Sequence, residues 1–403
     1  MLTNEDKLKY ELLIGNKPEK VLDEFPFGIF HKDAINFLSQ LSKELLNKDL
    51  DLNYFKGFGF WSRKANLLRL KNKRTDIESR VGRGIALHIA PSNISANTLY
   101  TFAFGLLSGS PSIIRVSNKN VDELKDILYL INNLFLLKEF NFLAVKYSFI
   151  TYEHDSNLSS HLSSLVDSRI IWGGDETIGI FKSFKTKSHC LDLVFPNKVS
   201  SSIISTKWLV NADSNELKNK ANLYSRDIGL FSQMACSSPS SLILLKDHEL
   251  TYKEELLNFF QDCDFYLSKK EWLSEVHSLS NFKSSIDICM QFPNSACIFR
   301  GSNISVFSIN KNHFKEINNF KAQNCCLFVF EVDSIDEFSK ILPSNNQTVV
   351  CLGLNKETKR LLSIKAIYNG TNRFVNVGNA LNMDIYWDGY DVISFLSKLI
   401  CLN

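Results

Sequence analysis

The residues best suited to chemistry lie in the segment Asp227-Ile-Gly-Leu-Phe-Ser-Gln233-Met-Ala-Cys236-Ser-Ser-Pro239. A cysteine attacks carbon as its thiolate, so a reactive one needs a setting that favours the anion. Cys236 is followed by Ser237, Ser238 and Pro239, a sequence that turns, and then by the apolar run Ser241 to Leu245. A turn before a strand can hold a thiol at the mouth of a cleft and aim backbone N–H groups at it. The same groups can later bind an oxyanion. By itself the spacing is also open to a buried core cysteine, the commoner fate of a free one.

Other polar residues divide by setting. Pro91-Ser92-Asn93 breaks the apolar run Ile85 to Ala90. Gly173-Gly174 follows the run Arg169 to Trp172 and can bring backbone close to a cofactor, or simply start a helix. His88 lies inside an apolar run and reads as a satisfied core histidine. His248 and Glu249 read as solvated loop residues, and Asp192 as a base or a strand residue facing solvent or a hinge. Cys325-Cys326 opens an apolar strand and reads as packing. Most of the 31 phenylalanines must fill cores.

The elements that must position these residues follow from periodicity. Residues 1 to about 80 are weakly patterned apart from a helix over Ala34 to Leu46. Strands are then expected at Ile85–Ala90, Pro111–Val116, Leu143–Ile150, Arg169–Trp172 and Cys190–Phe195. Helices are expected at Ile94–Leu107, stopped by Gly109, and at Val121–Phe140, Asp155–Leu165 and Asp175–Phe184. Such alternation gives right-handed crossovers and a mostly parallel sheet. After Pro196 come strands at Ser241–Leu245, Ser305–Ile309, Cys326–Val332 and Thr348–Leu354. Helices at Tyr252–Phe260, Ile335–Leu342, Glu357–Ala366 and Val392–Leu402 accompany them. We expect two α/β domains, 1–195 binding a dinucleotide and 196–403 carrying Cys236.

The 403 residues suffice for two domains. A net charge of +3 implies no basic patch, so nucleic acid is not an expected partner. The nine cysteines show no Cys-x-x-Cys pair and no even framework, so neither a metal site nor disulfides are expected. The polar start Met-Leu-Thr-Asn-Glu-Asp does not read as a secretory signal. The apolar stretch Ile127 to Val145 is interrupted by Asn132, Asn133, Lys138 and Glu139, so no membrane span is expected. The expected setting is a reducing cytoplasm.

Four segments, in order, resemble the LuxC-type acyl-CoA reductases, the fatty-acid reductase subunits of bacterial luminescence within the aldehyde dehydrogenase superfamily. Gly84-Ile-Ala-Leu-His88-Ile-Ala-Pro91-Ser-Asn93 resembles a strand ending in Pro-x-Asn. Ile171-Trp-Gly173-Gly174-Asp-Glu-Thr177-Ile-Gly179 resembles the glycine turn that faces the cofactor. Gln233-Met-Ala-Cys236-Ser-Ser-Pro239 resembles the nucleophile motif, and Trp387-Asp388-Gly389 a tripeptide near the C-terminus. The likeness runs from about residue 80 to the end.

The resemblance implies an aldehyde dehydrogenase-like fold, with a Rossmann-type cofactor domain and an α/β catalytic domain. It implies Cys236 as nucleophile and Asn93 as oxyanion donor. Pro91, Ser92, Arg115, Gly173, Gly174, Thr177 and Gly179 would hold the cofactor. Cys236 would take the acyl group of an acyl-CoA or acyl-protein, and hydride transfer would release the fatty aldehyde. Leu191-Asp192-Leu-Val-Phe195-Pro-Asn stands where aldehyde-oxidising members carry a water-activating glutamate, as a reductase requires. Lys321-Ala-Gln-Asn-Cys325-Cys326 replaces their ribose-holding Glu-x-Phe-Gly-Pro segment. Arg115 replaces their ribose lysine and can grip a 2′-phosphate, which favours NADPH over NADH. A homo-oligomer and an acyl-activating partner enzyme are expected. The alternatives are a reductase of short acyl-CoA or acyl phosphate, and a non-catalytic scaffold subunit of an acyl-transfer complex.

Overall fold

In a computed structural model, the described residues are 9–47, 55–153, 157–270, 272–273, 276–310, 320 and 322–401. The chain divides into two compact units, one running to Pro196 and resuming at Met383, the other Asn197–Asn382.

The first unit contains β1 (Glu11–Gly15), α1 (Lys32–Leu45), β2 (Arg80–Gly82), β3 (Ala86–Ile89), α2 (Asn97–Ser108), β4 (Ser112–Arg115) and α3 (Val121–Phe135). It continues with β5 (Tyr147–Thr151), α4 (Leu158–Leu165), β6 (Ser168–Trp172), α5 (Asp175–Ser183) and β7 (Leu191–Phe195). Its six-stranded sheet has the order β1-β5-β4-β3-β6-β7, parallel except for β1. The helix α2 is buried on every side beyond Asn97, which explains its apolar composition. Phe102 on α2 packs edge-on against Phe37, Phe135, Tyr147 and Phe149, so here the phenylalanines fill a core. Gly109 ends α2 at φ +74°, and a Cβ there would lie 2.0 Å from the Phe27 carbonyl oxygen.

The second unit contains β8 (Val199–Ser205), α6 (Ser214–Gly229), β9 (Pro239–Leu245), α7 (Lys253–Ser268), α8 (His277–Gln291), β10 (Ala296–Arg300) and β11 (Ser305–Ser308). After these come β12 (Cys326–Val332), α9 (Ile335–Ile341), β13 (Asn346–Leu352), α10 (Lys356–Ala366) and β14 (Arg373–Asn376). The sheet order is β10-β11-β12-β9-β8-β13-β14, with only the β10–β11 pair antiparallel. The α/β class of both units and the mostly parallel sheet of the first are those expected from the sequence.

Several expectations need correcting. Residues from Met383 onward, placed by the sequence in the second domain, belong to the first unit. The expected helix Val392–Leu402 is a short helix, α11 (Val392–Leu396), followed by β17 (Ser397–Leu399), and Leu402 lies outside the described residues. The reason is lateral. Arg80 and Arg83 donate to the carbonyls of Ser394, Phe395 and Ser397, ending the helix, and β17 pairs with β2. The two-stranded hairpin β15 (Tyr386–Trp387) and β16 (Tyr390–Asp391) precedes it, turning at Asp388 and Gly389 with φ +51° and +83°.

The helix expected to reach Phe140 stops at Phe135, because Leu136 and Leu137 face solvent and extend the apolar pattern beyond the buried stripe. Residues Asn141–Ala144 are helical, so the strand expected from Leu143 begins at Tyr147. The helix expected from Asp155 is seen from Leu158, and residues 155–156 lie outside the described set.

Among the described residues no single helix is long and apolar enough to cross a membrane. One pair, Asn118–Phe135 with Lys138–Ala144, reaches that length together, but it is bent by 90° and α3 buries Leu124, Ile127 and Ile131 in the unit's core.

Candidate active site

Cys236 is positioned by the passage from α6 to β9. The helix ends at Gly229, where a Cβ would lie 2.6 Å from Leu267 and 2.8 Å from the Trp272 ring. Phe231, Ser232 and Gln233 then take positive φ of 57°, 50° and 64°. Non-glycine residues in this region are strained, and such strain collects at functional sites. The chain turns through Met234 to Ser238 and enters β9 at Pro239. Cys236 sits in that turn half-buried, between buried Ala235 and buried Ser237. Its carbonyl oxygen accepts from Ser200 Oγ at 2.6 Å, and Ser238 N donates to the Ala235 carbonyl at 3.1 Å.

Most other thiols are held in the protonated form. Burial drives Cys263 and Cys325 far up and pushes Cys326 and Cys351 up to about 12. Desolvation also raises Cys190 and Cys297. These six are poor thiolates at neutral pH. Cys325 and Cys326 are fully buried, in keeping with a packing role.

In the first unit the switch point of the sheet lies at β3. From β3 the chain moves through β4 to β5 on one side, while β6 and β7 lie on the other. Ligands of such sheets bind outside the carboxyl ends of the strands at this point. Pro91, Ser92 and Asn93 leave β3 there, with Pro91 buried and both Ser92 and Asn93 exposed. The Pro91 carbonyl accepts from Asn120 Nδ2 at 2.9 Å, which fixes the start of the bend. Gly173 and Gly174 leave β6, and Gly174 caps α5 with no side-chain bond to its first N–H groups. Those groups and the helix dipole suit a phosphate.

Arg115, at the end of β4, lays its guanidinium 5.1 Å from the Tyr152 ring centre and donates to the Tyr152 carbonyl at 3.4 Å. Arg115 and Thr177 line one small cavity of about 30 Å3 with Ile89, Ser159 and Phe184. Thr177 also packs under Gly173, where a Cβ would lie 2.9 Å from its side chain. Gly179 is exposed, and a Cβ there would meet nothing within 4 Å, so packing does not require glycine. Asn93 belongs to the first unit and Cys236 to the second.

His88 is fully buried, contacts Thr101 Oγ1 at 2.8 Å and Ser112 Oγ at 3.1 Å, and is pushed down to about 3 by burial. It is a neutral core histidine. Asp192 receives both arms of buried Arg169, at 2.7 and 2.6 Å, so it is held in an ion pair. His248 is exposed, 3.6 Å from Asp333.

A cavity of about 610 Å3 lined by Lys246, Tyr252, Leu256, Ile309 and Glu331 lies at the carboxyl ends of β9, β11 and β12. The Cys236 turn is at the amino end of β9, a strand of 7 residues. That is roughly 20 Å away, so the cavity is separate from the Cys236 turn.

Three residues of this region escaped assignment from sequence. Asp227, on the last turn of α6, is 1% exposed and accepts from Gly378 N at 2.6 Å and Ala380 N at 3.1 Å. Burial pushes its carboxyl up to about 7, against the pull of those N–H groups. Gln233 and Ser200 bind main-chain atoms around Cys236. Asp227 and Gln233 stand in the same segment as Cys236, but their roles depend on partners that include Gly378 and Cys326, far away in the chain.

No curated protein matches the chain by sequence. Solved structures share its fold. A salicylaldehyde dehydrogenase from Pseudomonas putida G7, complexed with salicylaldehyde, is 13% identical, with a TM-score of 0.64 over 91% of this chain and 84% of that one. Glyceraldehyde-3-phosphate dehydrogenase GapN from Methanocaldococcus jannaschii, complexed with NADP, is 11% identical, with a TM-score of 0.63 over 94% and 90%. A mutant of the indole-3-acetaldehyde dehydrogenase AldA of P. syringae, with NAD+ and IAA, is 12% identical, with a TM-score of 0.63 over 91% and 82%. At these identities the likeness is one of fold, that of the aldehyde dehydrogenases. Residues 62–399 match the acyl-CoA reductase family LuxC, a span that includes Asn93, Arg115, the glycine turn and Cys236, and the chain therefore belongs to the LuxC family of acyl-CoA reductases.

Proposed function

We propose that the protein reduces a long-chain fatty acyl thioester, acyl-CoA or acyl-protein, to the aldehyde through an acyl group carried on Cys236. The observation that carries this reading is the half-buried Cys236 in a strained turn at the head of a central strand, in a chain of this family. Cys236 Sγ adds to the thioester carbonyl, and the tetrahedral oxyanion collapses by expelling the carrier thiol. By the resemblance, Asn93 donates an amide N–H to that oxyanion. Asp192, held by Arg169, is not free to activate water, which suits an acyl-cysteine that must survive until reduction. After reduction, the thiohemiacetal releases the aldehyde and Cys236 leaves as thiolate.

The first unit fits a nicotinamide dinucleotide. The switch point, the uncapped N-terminus of α5 and the Arg115 guanidinium offer a crevice, phosphate donors and a cation. Gly173, Gly174 and Thr177 would hold the phosphates, and Arg115 a 2′-phosphate, which favours NADPH. When bound, the reduced dinucleotide supplies the hydride. A homo-oligomer working beside an acyl-activating enzyme completes the reading, and rests on the resemblance.

The test is to add acyl-CoAs of graded length without reduced cofactor and to map the adduct by mass. An acyl group on Cys236, discharged as aldehyde when NADPH is added, is the expected outcome. An adduct on another residue, or normal turnover in Cys236→Ser, would remove the claim.

A further inference from the structure

Gln233 lies three residues before Cys236 and is fully buried. It closes the run of three positive-φ residues, each costing roughly 1–3 kcal/mol. Contacts around the run must hold it in place. The Gln233 carboxamide supplies two of them, with Nε2 donating to the Pro239 carbonyl at 2.8 Å and the Cys326 carbonyl at 3.1 Å. Pro239 opens β9 and Cys326 opens β12, its neighbour in the sheet. One side chain therefore ties the start of the Cys236 turn to its end and both to the sheet.

The remaining atoms agree. Both N–H groups face carbonyl oxygens, which fixes the amide orientation. Oε1 is buried without a hydrogen-bond partner among the described residues, so the side chain serves through its donors alone. A buried unsatisfied acceptor is costly, and a fold keeps one where something else requires the group. Two further bonds brace the same turn, Ser200 Oγ to the Cys236 carbonyl at 2.6 Å and Asn324 N to the Ser232 carbonyl at 3.1 Å.

We propose that Gln233 is the positioning residue of Cys236, clamping the turn so that the thiol is presented at a fixed place and angle. This rests on Cys236 being the nucleophile. The clamp needs a donor. Glutamate has the same shape but would set oxygen against two carbonyl oxygens, and methionine fills the space with no donor.

The test is the rate of Cys236 alkylation by iodoacetamide, mapped by peptide mass at one pH, in wild type, Gln233→Glu, Gln233→Met and Ser200→Ala. Exposed Cys289 is the internal control. In both Gln233 variants Cys236 should slow roughly tenfold to a hundredfold, and Cys289 should be unchanged. With an acyl-CoA substrate, kcat should fall and KM should hold. A fast wild-type Cys236 with equally fast variants overturns the positioning role alone. A wild-type Cys236 no faster than Cys289 removes the nucleophile reading, and this role with it. Should the Gln233 variants unfold, seen as labelling of buried Cys263 and Cys351, the decision passes to Ser200→Ala. Slowed labelling there supports the clamp, and labelling at the wild-type rate overturns it.

Discussion

Asp227 shows how burial converts an ordinary side chain into a pH-sensitive one. Its carboxyl is pushed from 3.8 to about 7 because burial outweighs the two N–H groups that face it and the charges of Arg226 and Arg373. The folded state therefore holds the proton more tightly than the unfolded chain. The stability this gives is full below about pH 4 and is lost as pH rises to about 7. At about 1.4 kcal/mol per pH unit across that window, the swing reaches a few kcal/mol. Urea denaturation of wild type and Asp227→Asn at pH 5 and pH 8 should show it. Wild type should lose stability relative to the variant as pH rises, and a constant difference would mean that the carboxyl titrates normally. Arg115 is a second case at this scale. Its stacking on Tyr152 leaves a planar cation at the end of β4. Arg115→Ala should harm NADPH use more than NADH use in steady-state assays, whereas equal losses would separate Arg115 from the 2′-phosphate.

Among the elements, α2 depends most on one residue outside its own pattern. Its apolar surface is buried on all sides, so its register is set by where it stops. Gly109 stops it in the left-handed region, with its Cα against the Phe27 carbonyl. A side chain there meets both the conformational cost and a backbone clash. Gly109→Ala should therefore cost at least about 2 kcal/mol in thermal or urea unfolding. Gly179→Ala, on an exposed helix face with open space, should change stability little and serves as the comparison. The strand β8 carries a different lesson. Val-Ser-Ser-Ser-Ile-Ile-Ser shows too little apolar character to read as a central strand. Ser200, Ser201 and Ser202 are nonetheless buried because Cys236, Asn346, Tyr224 and Ser241 supply their partners. Hydrogen bonds made across the sheet satisfied what hydropathy counted as polar.

For the molecule as a whole, the C-terminal segment decides where the first unit ends. Arg74 is almost wholly buried and bonds Asp76, Asp391 and Ser394, so residues more than 300 apart in sequence share one cluster. Asp391→Ala should cost roughly 1–3 kcal/mol by leaving that cation short of a partner. Hydrogen exchange should show lost protection over Arg80–Gly82 and Ser397–Leu399 and none over Pro239–Leu245. Loss in all three would deny the division of the chain.

The sequence by itself determined the local alternation, and with it the α/β class, most of the strands from Ile85 to Val332, and the glycine stop at Gly109. It also determined the segment that carries Cys236, since a turn is written in consecutive residues. It could not show that Val392 starts a five-residue helix and a strand rather than one long helix, because the cause is Arg80 and Arg83 at the other end of the chain. Nor could it show that Gln233 and Ser200 bond the main chain around the Cys236 turn, or that Asp227 is buried. Such roles depend on which carbonyls and N–H groups come within 3 Å after folding, and only the tertiary structure brings them there.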